Sequence, residues 1–206
     1  MSDRFPVILA DPPWDYKSWS LKGQGRGASR HYDTMSLDDI MALPVERVAA
    51  PDAVLFLWVT RTHLAQAFSV MEAWGFAYKS VAFTWIKYDN GRPFYGQGKW
   101  TRANPEQCLL ATRGKPKRVS AAVEELIFAE IGDHSAKPYE QYRRIQKLVA
   151  GPYLELFSQL SVPGWSAWGN RVGARGGFGG DLFDLPGLPA QSVTPKQPEL
   201  FEGVLA

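Results

Sequence analysis

A short apolar run near the start of the chain ends at two consecutive prolines. Residues 7–10 (Val-Ile-Leu-Ala) are too few for a helix and are typical of a buried strand. Pro12 and Pro13 lack a backbone N–H and have a fixed φ angle, so the strand must end in a stiff turn. Asp11 and Trp14 flank the prolines. Because ligands of open α/β sheets bind at the carboxyl ends of strands, the turn predicts either a binding site or a rigid turn with a packed tryptophan.

Strand-like and helix-like segments alternate along the next 160 residues. Strands are predicted at residues 53–59, 81–87, 106–112, 153–157 and 165–168. Helices are predicted from Ser36 to about Pro44, from an N-cap at Thr60 to Trp74, and from Pro138 to about Val149. Residues 123–131 suit an edge strand or a short helix. This alternation predicts an α/β fold with a largely parallel sheet.

The composition changes near the carboxyl end. Residues 173–180 are rich in glycine, and prolines interrupt residues 186–198. Such segments favour flexible linkers. We therefore expect a folded domain over residues 1–172 and a flexible Gly/Pro-rich tail over residues 173–206.

The single cysteine, Cys108, excludes a disulfide within the chain and a cysteine-based metal cluster. The three histidines lack metal-binding spacing, so no metal site is predicted. No apolar run approaches the length of a membrane span, and no signal peptide is visible at the start, so we expect a cytoplasmic protein. The net charge of +2 excludes a strongly basic nucleic-acid coat.

Two local segments are nevertheless basic. Residues 15–32 combine lysines and arginines with three glycines, which favours a mobile basic lid over a phosphate loop because the Walker-type Lys-Ser/Thr is absent. Residues 113–118 form a dense basic turn that is either a solvated loop or a phosphate contact.

The acid and the proline carbonyls of the opening turn suit a reaction at an amino group. The amine of a nucleobase is a poor nucleophile because its lone pair is delocalised into the ring. A carboxylate from Asp11 and a proline carbonyl can accept its two hydrogens and free the lone pair. Trp14 or Tyr16 can stack on the base. With an activated methyl sulfonium as the electrophile, catalysis would consist mostly of positioning.

An ordered set of motifs extends this hypothesis. Besides Asp11-Pro12-Pro13-Trp14, it comprises residues 31–37, 55–60, 100–106, 110–116, 134–138, 155–157 and 163–170. From about residue 7 to residue 172, the chain resembles the MT-A type of adenine-N6 methyltransferases. The resemblance implies S-adenosylmethionine as the methyl donor. It also implies a Rossmann-like methyltransferase fold with permuted motif order, in which the catalytic turn precedes the donor-binding strand.

The resemblance also assigns roles to single residues. Asp11, Pro12, Pro13 and Trp14 form the catalytic turn, in which Asp11 and Pro12 hold the target amine. Asp11 lies near the amino-acid end of the donor as well. Lys137 matches a lysine that reaches the donor carboxylate; as an alternative, it is an exposed lysine at a helix start.

Four later residues complete the implied donor site. Glu155 matches an acid near the donor ribose, and Asn170 matches an asparagine near its adenine; the alternatives are a solvated acid and a turn residue. Phe157 is either pocket wall or core. Gln159 stands where the family often has an arginine, so it can hydrogen-bond a ribose but lacks the charge and the fork of arginine.

Seven residues are candidates for nucleic-acid contacts through stacking or phosphate binding: Tyr16, Arg26, Arg30, Trp100, Arg102, Lys115 and Arg118. These features do not separate DNA from RNA.

A short motif in the tail bears on the choice between DNA and RNA. Residues 197–201, from Gln197 to Phe201, resemble the short peptides that dock on bacterial replication sliding clamps, although the match can be incidental. We therefore predict an adenine-N6 methyltransferase that acts on DNA, with a sliding clamp and a second copy of the chain as possible partners. The same chemistry on RNA, or a catalytically silent nucleic-acid-binding subunit, is the alternative.

Overall fold

A computed structural model describes residues 4–14, 34–96, 98, 100–132 and 136–169. Within these residues the chain forms eight strands and four helices. The strands are β1 (Phe5–Ala10), β2 (Ala49–Val59), β3 (Ala77–Asp89), β4 (Arg92–Pro93), β5 (Glu106–Arg113), β6 (Leu126–Glu130), β7 (Tyr153–Leu156) and β8 (Trp165–Trp168). The helices are α1 (Leu37–Ala42), α2 (Val45–Val48), α3 (Leu64–Ala73) and α4 (Glu140–Leu148). None of these helices is long and apolar enough to span a bilayer.

All eight strands belong to one sheet. Its order is β4-β3-β5-β2-β1-β7-β8, with β6 beside β3. The pairs β1–β2, β1–β7, β7–β8 and β3–β6 are parallel, whereas β2–β5, β3–β5 and β3–β4 are antiparallel. The Rossmann-like α/β fold that the sequence predicts is confirmed, with a parallel half, β2-β1-β7-β8, and a second half in which antiparallel pairs make the sheet mixed.

Helices pack on both faces of the sheet because its central strands are apolar on both sides. In β1, Ile8 and Ala10 belong to the core under α1, α2 and α3, whereas Val7 and Leu9 belong to the core under α4. This division follows from the two-residue period of a strand. Continuously apolar strands are typical of sheets that are covered on both faces, which explains why β1 and β2 lack polar residues in their central parts.

Several predicted boundaries shift in the structure. β2 begins at Ala49 and β3 at Ala77, each four residues before the predicted start. The early part of β3 is exposed and is held by pairing with β5, which a local apolar pattern does not reveal. Residues 126–130 of the ambiguous segment form the strand β6. Residues 61–63 form a short 3-10 turn before α3, and the Thr60 side chain makes no capping hydrogen bond there.

The helix predicted after Ser36 is confirmed as α1. The Ser36 hydroxyl accepts a hydrogen bond from the Asp39 backbone N–H at 3.1 Å, so Ser36 is the N-cap. The return contact joins the Asp39 carboxylate to the Ser36 hydroxyl at 2.7 Å. This exchange is a variant of the capping box, in which the return bond normally goes to the backbone N–H.

The sheet direction brings one set of strand ends to a single edge. The carboxyl ends of β1, β2 and β7 lie at this edge because these strands are parallel. β5 runs against β2, with Gln107 opposite Val59, so β5 begins where β2 ends. The turn after β1, the start of β5 and the segment after β7 therefore share what we call the site edge.

Candidate active site

The Asp-Pro-Pro-Trp turn is fixed by its tryptophan. The backbone N–H of Trp14 donates to the carbonyl of Pro12 at 2.8 Å, and its indole N–H donates to the carbonyl of Trp58 at 3.1 Å. The indole is buried and stacks on His63 with 5.5 Å between the ring centroids. This packing is at odds with Trp14 stacking on a substrate base, and it matches the alternative of a packed tryptophan. Trp14 therefore supports the turn from within the core.

Asp11 faces a cavity of about 180 Å³ at the site edge. The cavity is lined by Asp11, Trp58, Ala136, Lys137, Gln141, Tyr142, Glu155, Phe157, Gln159 and Leu160. Five of the six residues that the resemblance assigned to the donor are among them, although they are separated by up to 148 positions in the sequence. The sixth, Asn170, lies outside the described residues.

Charged side chains of alternating sign run outward from one wall of this cavity, which Asp11 and Lys137 line. Lys137 Nζ donates to Asp11 Oδ2 at 2.7 Å and lies 3.4 Å from Glu106 Oε2. Glu106 Oε1 accepts a hydrogen bond from Lys87 Nζ. We call these four residues the charge chain. All four side chains are largely buried, so their mutual attraction is less screened than that of surface pairs.

Burial and neighbouring charges shift the pKa values of Lys137, Glu106 and Asp11 in opposite directions. Burial alone would lower the pKa of Lys137, but Asp11 and Glu106 outweigh it, and the pKa is raised. Burial alone would raise the pKa of Glu106, but Lys137 and Lys87 outweigh it, and the pKa is lowered. Burial raises the pKa of Asp11 against the opposing effect of Lys137. Lys137 therefore stays a cation at neutral pH and Glu106 stays an anion.

A second acid, Glu155 at the end of β7, lies deeper in the cavity. Its carboxylate accepts hydrogen bonds from the Tyr142 hydroxyl at 2.9 and 3.1 Å, and the Ser158 hydroxyl lies 2.8 Å from Oε2. Burial raises the pKa of Glu155 to about 7, although the bonds from Ser158 and Tyr142 oppose this rise. Glu155 is thus held in one orientation and titrates close to neutral pH.

The backbone after β7 is bent so that it closes the cavity. Phe157 has a φ of 63°, an uncommon value for a residue other than glycine, and its side chain is buried edge-on against Trp168. The ring lines the cavity and also belongs to a core cluster, so both predicted roles of Phe157 apply. The bend ends the predicted strand at Leu156 and turns Gln159 into the cavity lining.

A larger cavity of about 600 Å³ lies at the Lys87–Glu106 end of the charge chain. Lys87 and Glu106 line it together with Thr60, Arg61, Thr62, Phe94, Gly96, Gly98, Trp100, Thr101, Ala103, Asn104 and Pro105. We call it the outer cavity and the one that Asp11 lines the inner cavity. Because Lys137 bonds both Asp11 and Glu106, the charge chain connects the two cavities.

Of the predicted nucleic-acid residues, Trp100 lines the outer cavity, and Arg102 lies in the chain between two of its lining residues, Thr101 and Ala103. Trp100 is 99% exposed, so its ring is available for stacking. Arg102 donates to the carbonyl of Tyr95 at 2.7 Å, and its guanidinium lies over the Tyr95 ring. The predicted residues Tyr16, Arg26 and Arg30 and the tail residues 173–206 lie outside the described residues.

The basic turn after β5 lies away from both cavities. Arg113, the last residue of β5, pairs with Ala53 in the amino-terminal half of β2, so the turn lies toward the sheet edge opposite Asp11. The Val119 N–H also donates to the carbonyl of Leu148, at the end of α4. Lys115 and Arg118 are exposed near this opposite edge, so the structure does not bring them together with the other predicted substrate residues.

Three site residues were missed at the sequence level: Glu106, Lys87 and Tyr142. Glu106 ends the motif of residues 100–106 and comes directly before an apolar run. An acid that follows a proline at the start of a strand could have identified it as a site residue. Lys87 and Tyr142 had no local signal, because their partners lie 19 and 13 positions away. Among the described residues, no group of His, Cys, Asp or Glu is arranged to hold a metal ion.

The chain is similar to several known proteins. The family model MT-A70 matches residues 5–171. The type II methyltransferase M.MunI of Mycoplasma sp is 34% identical over 188 residues, which cover 82% of this chain and 78% of M.MunI. The N(6)-adenosine-methyltransferase catalytic subunit METTL3 of Homo sapiens is 28% identical over 176 residues, with 82% of this chain and 28% of METTL3 covered. An N(6)-adenosine-methyltransferase MT-A70-like protein of Arabidopsis thaliana is 29% identical over 175 residues. This chain spans about a quarter of the length of these last two relatives.

Proposed function

The chain belongs to the MT-A70 family of methyltransferases, and from this premise we propose that it methylates the N6 amine of adenine in DNA with S-adenosylmethionine as donor. The observation that carries the proposal is the joining of the Asp-Pro-Pro-Trp turn, Lys137 and Glu155 around one cavity. The turn suits a nucleophilic amine. The other two residues suit a molecule with an amino-acid end and a ribose.

The residues of the inner cavity fit the parts of the donor. Lys137 can bind a carboxylate and Asp11 can bind an ammonium group, so this pair matches an amino-acid end. Glu155 can accept hydrogen bonds from ribose hydroxyls, in the same way that Rossmann enzymes use an acid. Phe157 and Trp58 supply apolar walls, and Asn170 would contact the donor adenine. When bound, the donor supplies a methyl group on a sulfonium.

Gln159 lines the inner cavity at the position where the family often has an arginine. It can donate and accept a hydrogen bond at the ribose, without a charge. Gln159 is also the feature that favours a silent subunit. The intact catalytic turn and its contact with Lys137 favour the active enzyme.

Asp11 and Pro12 would orient the target amine. Lys137 contacts Oδ2 of Asp11, so the carboxylate has its other oxygen, Oδ1, to accept an amine hydrogen. The Pro12 carbonyl bonds the Trp14 N–H and has a second lone pair for the other hydrogen. These two contacts would direct the amine lone pair at the methyl group that the bound donor supplies, with the donor sulfur as the leaving group. The extra proton on the nitrogen leaves to Asp11 or water.

The outer cavity is the proposed entrance for the nucleic acid. Glu106 lies in its lining and is bonded, through Lys137, to Asp11, so a base in this cavity would reach the catalytic turn. Trp100 and Tyr16 would stack on bases, while Arg26, Arg30 and Arg102 would contact phosphates. An adenine in a duplex would have to be flipped out of the stack to enter. Lys115 and Arg118 would contact only a nucleic acid that extends to the opposite edge.

DNA is favoured over RNA by the extent of the similarity. M.MunI, a type II methyltransferase, is matched over most of its length, whereas the adenosine methyltransferases are matched over about a quarter of theirs. The same chemistry on RNA is the alternative.

We also propose that residues 197–201 dock on a replication sliding clamp, and that the enzyme can form a homodimer.

Tritiated methyl transfer to matched DNA and RNA oligonucleotides tests the proposed function. Wild type should label adenine-containing DNA, and Asp11→Ala should reduce the rate by at least about a hundredfold, since it loses both orientation and an amine contact. Lys79→Met, which alters an exposed lysine on β3, is the control and should match wild type. Equal labelling by wild type and Asp11→Ala would contradict the catalytic role, and labelling of RNA alone would reverse the substrate.

The tail proposal has its own test, a pull-down with a bacterial sliding clamp. Deletion of residues 197–201 should abolish the binding of the full chain, because this short peptide would supply the contact. A deletion that leaves the binding unchanged, or a wild type that does not bind, would rule out docking on the clamp.

Light scattering of the purified chain at several concentrations tests the homodimer, and a single monomer mass throughout would exclude it.

A further inference from the structure

The charge chain is balanced, with two carboxylates and two ammonium groups in the order Asp11, Lys137, Glu106 and Lys87. Lys137 bonds one oxygen of Glu106, and Lys87 bonds the other. The Glu106 carboxylate is therefore shared between two cations. Lys87 does not line the inner cavity, and within the described contacts it reaches the donor residues through Glu106.

The position of Lys87 is determined by its backbone. The side-chain oxygen of Asn104 accepts a hydrogen bond from the Lys87 N–H at 3.0 Å, and the Asn104 amide donates to the Lys87 carbonyl at 2.9 Å. The ammonium group also lies 4.9 Å from the centre of the Trp85 ring. A substitution of the side chain alone keeps both backbone bonds, so the charge can be removed with the strand left in place.

We propose that Lys87 is a positioning residue for donor binding, which it controls by holding one oxygen of Glu106, Oε1, away from Lys137. This inference rests on the proposed function, in which Lys137 binds the donor carboxylate. With Lys87 present, Glu106 gives only one oxygen to Lys137, whose ammonium group also bonds Asp11. Without Lys87, both Glu106 oxygens are free to turn to Lys137, which is then less available to a second carboxylate.

The balance of charges also predicts that the loss of Lys87 weakens donor binding. Removal of the Lys87 charge leaves two carboxylates and one ammonium group in a largely buried chain. A donor carboxylate would then enter a site with an excess negative charge, which weakens its binding. Removal of the Glu106 charge as well restores the balance, because Asp11 and Lys137 remain as one pair. The double substitution should therefore bind the donor better than the single substitution does.

Calorimetric titration with S-adenosylhomocysteine, the product that retains the amino-acid end, tests the inference on the full chain. We expect Lys87→Met to weaken binding about tenfold, and Lys87→Arg to stay within about twofold of wild type. The double variant Lys87→Met with Glu106→Gln should bind S-adenosylhomocysteine at least about threefold more tightly than Lys87→Met does. Lys79→Met, an exposed lysine on the same strand, is the matched control and should bind as wild type does.

Steady-state kinetics supply a readout that a purely structural role would not produce. In Lys87→Met, the KM for S-adenosylmethionine should rise about tenfold, while kcat should stay within about threefold of wild type. Normal binding by Lys87→Met, or a double variant that binds no better than Lys87→Met, would overturn this inference alone. Failure of wild type to bind S-adenosylhomocysteine would instead overturn the proposed function, and this inference with it.

Discussion

At the scale of single residues, each acid of the site has a different environment. Asp11 and Glu106 contact lysines, whereas Glu155 contacts only hydroxyl groups among its described hydrogen bonds. A neighbouring ammonium group favours the charged form of a carboxylate, while burial favours the neutral form. The two lysines lower the pKa of Glu106, whereas burial raises the pKa of Asp11 despite Lys137. Burial raises the pKa of Glu155 to about 7, so this acid changes its protonation state near neutral pH.

The raised pKa of Glu155 predicts a pH-dependent stability. The folded protein keeps a proton that the unfolded chain loses above the ordinary pKa of 4.5. The free energy of unfolding should therefore fall as the pH rises from about 4.5 to about 7. Urea unfolding at about pH 5 and about pH 8 should show wild type losing roughly 2 to 3 kcal/mol relative to Glu155→Gln, which cannot ionise. Parallel changes in the two proteins would mean that Glu155 is already ionised at pH 5.

Some residues of the site could be predicted from the sequence, whereas the contacts of Glu106 could not. Asp11, Lys137, Glu155 and Gln159 were predicted from motifs, and the structure places them around one cavity. The two acid–lysine contacts of Glu106 were not predictable, because they join β5 to residues on β3 and before α4. Such contacts depend on antiparallel register, and no local pattern specifies which strand lies beside which.

At the scale of elements, the site is assembled from the ends of strands. Asp11 directly follows the last residue of β1, β5 begins at Glu106, and β7 carries Glu155 before its last residue. The strands are buried and apolar, so their ends are fixed relative to one another, and the irregular segments after them supply the functional groups. The apolar runs predicted these strands well. The reversed direction of β5, which brings Glu106 to the site edge, was not visible because apolar runs do not carry direction.

The segment after β7 depends on a close approach to the end of β8. The Ser158 N–H donates to the Trp168 carbonyl at 3.0 Å, and a Cβ atom at Gly169 would lie 2.5 Å from the Ser158 backbone. Gly169→Ala should therefore displace the segment that carries Phe157 and Gln159. We expect a loss of about 1 to 3 kcal/mol in the free energy of unfolding, with weaker binding of S-adenosylhomocysteine.

Chemical denaturation and calorimetric titration check this prediction. Gly132→Ala is the matched control, because a Cβ atom there would meet only Ala136 at an ordinary distance of 3.7 Å. A Gly169→Ala protein with the stability and the donor affinity of the control would show that the backbones can separate without affecting the site.

At the scale of the whole molecule, two cavities share one charged wall. Asp11 and Lys137 line the inner cavity, while Glu106 and Lys87 line the outer one. Under the proposed function, the methyl donor would bind at the Asp11–Lys137 end of this wall, and the base would enter at the Glu106–Lys87 end. The sequence predicted both ligands from motifs, but the two separate cavities follow from packing between segments that are far apart in the chain.

The measurement that tests the central claim most directly is the identity of the methylated base. After wild type has reacted with S-adenosylmethionine and an adenine-containing DNA oligonucleotide, nucleoside mass spectrometry should find N6-methyladenine. Asp11→Asn should give at least about a hundredfold less, because the carboxylate that orients the amine is lost. A methyl group on another base, or an equal yield of N6-methyladenine from Asp11→Asn, would contradict the account.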